Sequence, residues 1–281
     1  MNSKITISLF FLFSYLTIAQ VNNNCDLSND ISRIVVAGGS ITEIIYLLGQ
    51  GDKIVAVDVT SNYPEETKNI TSIGYVRNVS TEGVLSLAPS LILGEDDMGP
   101  PNVVKQLKGM NADLRIIHEE QTVNGIIEKI RCVASIIGKE DLASQIIEKD
   151  INPVLIKLKE NQISNKKNKK KIMLVLSMQG TSPMVAGSGT SGDSFIKMIG
   201  GDNIFSSFNG WKNVTAESIL KLNPDYIIIP EKDLHKQSKV AEIVDNPIFS
   251  NTNAGKNNNF LFEDGMAILG FGPRTIYAAF D

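Results

Sequence analysis

Short runs of β-branched and aliphatic residues alternate along this chain with segments of helical periodicity. Residues 33–37 form one apolar run, and residues 41–48 then place apolar side chains at helical spacing before a glycine closes the segment. Further apolar runs follow at residues 53–57 and 91–93, with a helical segment around residues 84–87. Strands that alternate with helices predict a mainly parallel sheet covered by helices on both faces.

The second half of the chain repeats this order of elements. An apolar run at residues 171–176 precedes a helical segment at residues 194–199. The clearest internal match aligns residues 81–92 with residues 216–227: in both, a glutamate opens a short helix, a proline stops it and an apolar strand follows. The sequence therefore predicts an α/β protein with two similar lobes.

A long helical segment separates the two halves. Apolar side chains recur at helical spacing from residue 123 to about residue 160, and Gly138 and Pro153 predict breaks or bends within it. We expect an N-terminal lobe at residues 20–122, a helical backbone at residues 123–160 and a C-terminal lobe at residues 161–281. Because a helical connection is stiff, the lobes should leave a ligand cleft between them.

The N-terminus has the pattern of a secretory signal peptide. Lys4 precedes an apolar run at residues 5–19 that is too short for a membrane span, and Ala19 with the polar residues after it gives a cleavage point. We predict that residues 1–19 are removed and that the mature protein is soluble in the periplasm. The alternative is a permanent membrane anchor, which would require about 20 apolar residues with basic flanks.

The two cysteines leave alternatives open. Cys25 follows the signal segment, but the asparagines at residues 22–24 are unlike the small apolar residues that normally precede a lipidated cysteine, so a lipoprotein is not expected. In an oxidising compartment Cys25 and Cys132 could form one disulfide. An unpaired thiol at Cys132 is equally compatible with its helical setting.

Charge and motifs narrow the functional classes. The chain has 27 Lys and Arg against 31 Asp and Glu, which does not indicate a nucleic-acid-binding surface. The basic run at residues 166–171 is typical of a solvated turn. An exported α/β enzyme is an alternative, because the Gly38-Gly39-Ser40 turn opens a helix where a phosphate or a nucleophile could lie. The Walker and nucleophile-elbow motifs are missing from the sequence, which disfavours that alternative.

Five segments carry a family resemblance: Ala37-Gly38-Gly39-Ser40-Ile41-Thr42-Glu43, Ile73-Gly74-Tyr75-Val76-Arg77, Ser80-Thr81-Glu82-Gly83-Val84-Leu85, Met184-Val185-Ala186-Gly187-Ser188-Gly189-Thr190 and Gly270-Phe271-Gly272-Pro273-Arg274-Thr275. With them the chain resembles the helical-backbone substrate-binding proteins of ABC importers, most closely the haem branch. The resemblance implies a monomeric, non-catalytic carrier that binds haem and delivers it to a permease dimer in the inner membrane. A siderophore or cobalamin carrier is the alternative.

The resemblance implies that Tyr75 is an axial ligand of haem iron and that Arg77 supports it by hydrogen bonding. The chemistry agrees, since a tyrosine phenolate is a recognised ligand of haem iron. An isolated phenol has a pKa of about 10, so ligation near neutral pH needs help from the metal and a nearby cation. In an extended segment Tyr75 and Arg77 would face the same side. A surface tyrosine beside a surface arginine is the plainer alternative.

The remaining site assignments rest on weaker chemical arguments. Met98 and Met184 are expected to support the haem pocket by packing against the porphyrin. Arg274 is expected to meet a propionate, with a structural salt bridge as an equal alternative. His118 and His235 are expected to be structural or solvent-exposed rather than iron ligands.

The resemblance also implies that Glu82 and Glu217 dock the two lobes onto arginines of the permease. Two like charges held far apart on stiff lobes would set orientation and speed encounter more than they add affinity. The plainer alternative is that each carboxylate complements the N-terminus of its helix, worth less than about 1 kcal/mol. Glu43, inside an amphipathic helix, is expected to have a structural role.

Overall fold

The computed structural model describes residues 25–179, 182–230 and 243–280. The predicted signal peptide and His235 lie outside the described residues. The strands are β1 (Ile34–Ala37), β2 (Ile54–Val57), β3 (Thr71–Ser72), β4 (Leu91–Glu95), β5 (Leu114–Ile117), β6 (Lys171–Gln179), β7 (Ser182–Ala186), β8 (Asp202–Asn203), β9 (Trp211–Asn213), β10 (Tyr226–Pro230) and β11 (Phe260–Glu263). The helices are α1 (Gly39–Leu47), α2 (Thr81–Leu85), α3 (Pro101–Gly109), α4 (Val123–Ile136), α5 (Glu140–Ile146), α6 (Asn152–Asn165), α7 (Ser191–Met198), α8 (Ala216–Leu222), α9 (Pro247–Ser250), α10 (Asn253–Lys256), α11 (Gly265–Leu269) and α12 (Pro273–Phe280).

The N-terminal lobe contains the parallel sheet that the sequence predicts. Its five strands run in the order β3-β2-β1-β4-β5, and every neighbouring pair is parallel. The central strand β1 is buried along its whole length, because helices cover both faces of the sheet. This lobe confirms the α/β prediction.

The C-terminal lobe differs from its partner because its sheet is mixed. The strand order is β11-β10-β6-β7-β9, with β8 paired to β6. Strands β6, β8, β10 and β11 pair in parallel, whereas β7 is antiparallel to both β6 and β9. Only two residues separate β6 from β7, and so short a connection can return only as a hairpin.

The internal match between the halves corresponds to a repeated structure. Helices α2 and α8 each begin at a hydroxyl cap: Ser80 accepts from the backbone N–H of Gly83, and Thr215 accepts from that of Ser218. Each matched segment also has a left-handed residue directly before its proline, Ala88 in one lobe and Asn223 in the other. The left-handed residue turns the chain from the helix into the following strand.

The connecting segment is a helical backbone that contains a break at Gly138 and a π-helical stretch. Helix α4 ends before Gly138, whose φ of +65° is left-handed and favours glycine. Helix α5 then passes through one π-helical stretch, Ile147–Ile151, into α6, where Pro153 lies in the first turn. Within the described residues, no helix combines the length and apolarity that a membrane crossing requires.

One hydrophobic core runs through both lobes and the backbone. It joins β1 and α1 of the first lobe, α4 of the backbone, β6 and α7 of the second lobe, and α12. Two smaller cores lie on the outer faces of the sheets, one in each lobe. The shared core restricts movement of one lobe relative to the other, since interiors are close-packed.

A disulfide joins Cys25 to Cys132 on α4 across 107 residues of sequence, with a Cα–Cα distance of 4.9 Å. Of the two interpretations of Cys132, the structure therefore selects the disulfide. The bond ties the start of the described chain to the helical backbone.

Replacing both cysteines by serine should lower the free energy of unfolding by about 3 to 5 kcal/mol, because the bond closes a loop of roughly 100 residues. Urea unfolding of the two proteins measures the difference. The wild type unfolded with a reductant should resemble the double variant, and equal stability of all three would contradict the prediction.

Candidate functional site

A cleft of about 540 Å³ lies between the two lobes, within the range of pockets that hold small ligands. The residues that line this cleft differ in chemistry between the two lobes. The N-terminal lobe contributes mostly polar and charged residues: Thr60, Tyr75, Val76, Arg77, Glu95, Asp96, Asp97, Glu119 and Gln121. The C-terminal lobe contributes mostly apolar residues: Leu176, Ser191, Trp211, Met266, Leu269 and Gly270.

Tyr75 and Arg77 both line this cleft, but through a turn instead of the expected extended segment. Tyr75 has extended backbone angles and caps a single 3₁₀ turn, Val76–Asn78. Val76 points into the lobe and is only 2% exposed, whereas Tyr75 is 45% exposed. The buried valine anchors the turn, and its two neighbours consequently face the cleft together.

Arg77 is placed between a carboxylate and the tyrosine ring. Its Nε donates a hydrogen bond of 2.8 Å to Oδ2 of Asp97, and its Cζ lies 6.0 Å from the centroid of the Tyr75 ring. The hydrogen bond to Asp97 raises the pKa of Arg77, which keeps the guanidinium charged beside the ring. The predicted hydrogen bond between Arg77 and the Tyr75 oxygen stays a prediction.

Four carboxylates lie along the same wall, and each of them has a hydrogen-bond partner. Asp97 accepts from Arg77. Asp96 accepts from the backbone N–H of Glu119 and pairs with Nδ1 of the exposed His118. Glu119 accepts from Nζ of Lys129, whose side chain is fully buried in α4.

Glu95, the fourth carboxylate, is held by the glycine turn at the start of α1. Both the backbone N–H and the hydroxyl of Ser40 donate to its Oε1, and the same hydroxyl accepts from Lys129 Nζ at 2.8 Å. Gly38 has a φ of +152°, and a Cβ there would lie 2.5 Å from the Glu95 side chain. The Gly38-Gly39-Ser40 turn thus holds a partly buried carboxyl group, which accounts for its small residues.

Burial raises the pKa of Glu95 to about 7. Lys129 and the Ser40 hydroxyl act in the opposite direction, while Glu119 and Asp97 raise the pKa further. Near neutral pH this carboxyl group therefore titrates while it lines the cleft.

Sequence reasoning missed the apolar wall. Trp211, the single tryptophan of the chain, contributes to it from β9. The internal repeat contained a usable signal, because an aromatic residue precedes each matched helix: Tyr75 lies six residues before the start of α2, and Trp211 lies five residues before the start of α8. Met266 and Leu269 come from α11, whose sequence gave no comparable indication.

The two methionines predicted to support a ligand do not reach the cleft. Met98 is 5% exposed and belongs to the core of the N-terminal lobe, where its sulfur packs beside Gly94. Met184 is partly exposed on β7, in register with Ser177 and Asn213, and is not among the cleft residues. Neither position offers the predicted contact with a porphyrin face.

Arg274 makes the structural salt bridge that sequence analysis held as the alternative to a propionate contact. Its Nε donates 2.8 Å to Glu43 Oε1, and its Nη2 lies 3.2 Å from Asp264 Oδ1. The guanidinium also lies over the Tyr63 ring, 4.3 Å from the centroid. Glu43 is 5% exposed, and burial raises the pKa of its carboxyl group despite Arg274, so the expected structural role of Glu43 is an ion pair between α1 and α12.

Glu82 and Glu217 occupy equivalent exposed positions in the two lobes. Each is the second residue of its helix, after the hydroxyl cap. Among the described residues, neither carboxylate has an ion-pair partner. Their placement agrees with both interpretations given above, a helix-terminus charge and a docking charge.

Two α/β lobes on a helical backbone, with a ligand-sized cleft between them, define a bilobal substrate-binding protein. The sequence profile of the family described as periplasmic binding protein matches residues 34–264. The chain belongs to this family, whose members are substrate-binding components of ABC importers and not enzymes.

The comparisons identify relatives with different ligands. The chain is 28% identical over 91% of its length, and 80% of the relative's, to the uncharacterized ABC transporter substrate-binding lipoprotein YvrC of Bacillus subtilis. It is 26% identical to the vitamin B12-binding protein of Pectobacterium atrosepticum, covering 70% of this chain and 71% of the relative. The crystal structure of the periplasmic heme-binding protein HutB of Vibrio cholerae superposes with a TM-score of 0.75 and 32% identity, covering 89% of this chain and 96% of that one.

Replacing Arg274 by Met should cost about 3 to 5 kcal/mol of unfolding free energy near pH 8, because it leaves a buried carboxylate without its cation. The cost should be smaller near pH 5, where Glu43 with its raised pKa can take up a proton. Urea unfolding at the two pH values measures both quantities.

The double variant Glu43→Gln with Arg274→Met is the matched control. It should recover part of the lost stability and lose the pH dependence. If Arg274→Met had the stability of the wild type at both pH values, the ion pair would not hold the lobes together.

Proposed function

We propose that this protein captures haem in the cleft between its lobes, with Tyr75 as an axial ligand of ferric iron, and delivers it to an ABC permease. The observation that carries the proposal is the position of Tyr75. It is a cleft-lining, 45% exposed phenol on a turn anchored by a buried valine, with a charged guanidinium beside it. A tyrosine phenolate is a recognised protein ligand of haem iron, and this side chain lies where a ligand in the cleft can reach it.

The opposite wall suits the rest of a porphyrin. Leu176, Trp211, Met266 and Leu269 present apolar and aromatic surface to the cleft. A flat macrocycle could bury one face on this wall while Tyr75 approaches its metal from the other side. Aromatic surface of this kind contributes strongly to ligand binding.

A corrinoid is the second candidate. Haem has two propionates, whereas the amide side chains of a corrinoid are uncharged, and the wall formed by Glu95, Asp96, Asp97 and Glu119 would repel carboxylates. The similarity to a vitamin B12-binding protein supports the same candidate. Tyr75 beside Arg77 favours haem.

We further propose that the protein is exported and that Cys25 does not carry a lipid. A lipidated cysteine uses its sulfur in a thioether, and the sulfur of Cys25 is bonded to Cys132. The disulfide also fits an oxidising compartment. One chain supplies both cleft walls and both exposed glutamates, which supports a monomeric carrier.

Delivery to the permease would use Glu82 and Glu217. Both carboxylates are exposed, each lies on a different lobe, and the shared core limits changes in their separation. Fixed charges of this kind select the partner's orientation and raise the rate of encounter.

Replacing Tyr75 by Phe should abolish the tyrosinate-to-iron charge-transfer absorption of the hemin-loaded protein and weaken hemin binding at least about tenfold, since the phenyl ring cannot ligate iron. Absorption spectra report ligation. Quenching of Trp211 fluorescence reports occupancy of the cleft.

Two comparisons make this experiment decisive. Replacing Tyr63, which lies against Arg274 and outside the cleft lining, by Phe should leave the hemin spectrum unchanged. A wild-type spectrum in Tyr75→Phe would remove the ligand assignment. Saturable quenching by cyanocobalamin without any response to hemin would favour the corrinoid candidate.

Changing Glu82 or Glu217 to Lys should raise the protein concentration needed for half-maximal stimulation of the permease ATPase by about tenfold each, equivalent to about 1.4 kcal/mol. Hemin affinity should not change, because neither residue lines the cleft. The measurement uses the permease reconstituted in liposomes, at two salt concentrations. Glu160→Lys, an exposed change on α6, is the control, and equal loss in all three variants would contradict specific docking.

A further inference from the structure

The proposed function leaves Glu95 without an explanation. This carboxyl group lines the ligand cleft, yet its partner is the neutral Ser40, which donates twice to Oε1. No other described residue forms a hydrogen bond with Oε2. Asp97 pairs with Arg77 and Glu119 pairs with Lys129, whereas no described lysine or arginine forms a salt bridge with Glu95.

The charges around Glu95 do not balance a carboxylate there. Lys129 of α4 is the nearest buried cation, but its ammonium donates to Glu119, and the Ser40 hydroxyl lies between it and Glu95. Arg77 on the 3₁₀ turn is paired with Asp97. Asp96 and Asp97 on the segment that follows β4 add negative charge. The cleft residues of the C-terminal lobe carry no charge.

We infer that Glu95 makes the capture of a carboxylate-bearing tetrapyrrole proton-linked, because the neutral acid can face or donate to an anionic ligand that the carboxylate would repel. This inference rests on the proposed function, since it concerns haem with its two propionates in the same cleft. It assigns Glu95 as a specificity-determining residue.

The direction of the pH effect follows from linkage. Burial raises the pKa of free Glu95 to about 7, and an anion bound beside it would raise that pKa further. Near pH 6 most of the acid is already protonated, so binding takes up little additional proton. Above pH 7 binding must take up a proton, and affinity should fall as pH rises, by at most about tenfold per pH unit.

Hemin titrations at pH 6, 7, 8 and 8.5 test the inference in the wild type and in Glu95→Gln. Glutamine keeps the oxygen that accepts from Ser40 but cannot ionise. Proton exchange at Tyr75 and at the iron is common to both proteins and therefore cancels in the ratio of their affinities. The ratio of wild-type to variant affinity should be constant below pH 7 and should fall about threefold to tenfold by pH 8.5.

Calorimetry in two buffers of different ionisation enthalpy gives the second measurement. At pH 8 the wild type should take up more protons on binding hemin than Glu95→Gln does, by a difference approaching one. Glu160→Gln makes the same chemical change at an exposed position outside the cleft, and its affinity profile should equal that of the wild type.

A second variant covers the case in which glutamine perturbs folding. Ser40→Ala keeps the carboxyl group but removes the hydroxyl that favours its charged form, so the pH at which affinity begins to fall should move upward. Identical pH profiles for the wild type, Glu95→Gln and Ser40→Ala would overturn this inference alone. Absence of saturable hemin binding by the wild type at pH 6 would overturn the proposed function, and this inference with it.

Discussion

The ion pair between Glu43 and Arg274 joins the two lobes at the edge of the core that they share. Glu43 belongs to the first helix and Arg274 to the last described one, so the pair closes the fold across 231 residues of sequence. Taking a carboxylate out of water is costly, and the pairing offsets that cost only while α1 and α12 keep their relative position. Helix α11, which supplies Met266 and Leu269 to the cleft, directly precedes α12. The ion pair therefore lies next to the helix that supplies part of the apolar wall of the cleft.

Helix α1 also begins the polar network beneath the cleft, which consists of Ser40, Lys129 and Glu95. Helix α1 supplies both Ser40 and Glu43, and the two side chains have different roles. Glu43 holds the lobes together, while Ser40 links Lys129 to Glu95 at the surface of the cleft. Gly38 makes this possible because a side chain there would occupy the space of Glu95. The Gly38-Gly39-Ser40 turn, which could have bound a phosphate, instead holds the carboxyl group of Glu95.

Local patterns in the sequence predicted much of the fold. Helical and strand periodicity located the elements of both lobes, and the matched segments around Glu82 and Glu217 correspond to helices with the same caps. Tyr75 and Arg77 were singled out, and they do meet at the cleft, although a 3₁₀ turn with a buried Val76 brings them there. The mixed sheet was missed because strand periodicity is the same in parallel and antiparallel pairing. Met98 was misplaced because burial cannot be read from residue type. The sequence could not choose between the two roles held for Arg274, because its partner Glu43 lies 231 residues away.

By itself the sequence determined the class of fold and the family resemblance, and it singled out Tyr75 and Arg77, because these depend on short-range spacing and on side-chain chemistry. Tertiary structure alone decided which residues face one another across the cleft. It brought Trp211 and Tyr75 to the same cleft, joined Cys25 to Cys132, and placed Glu95 on one wall with Glu119, which follows a different strand. Such contacts join residues far apart in the chain, and their energies depend on burial, which exists only once the lobes have packed together.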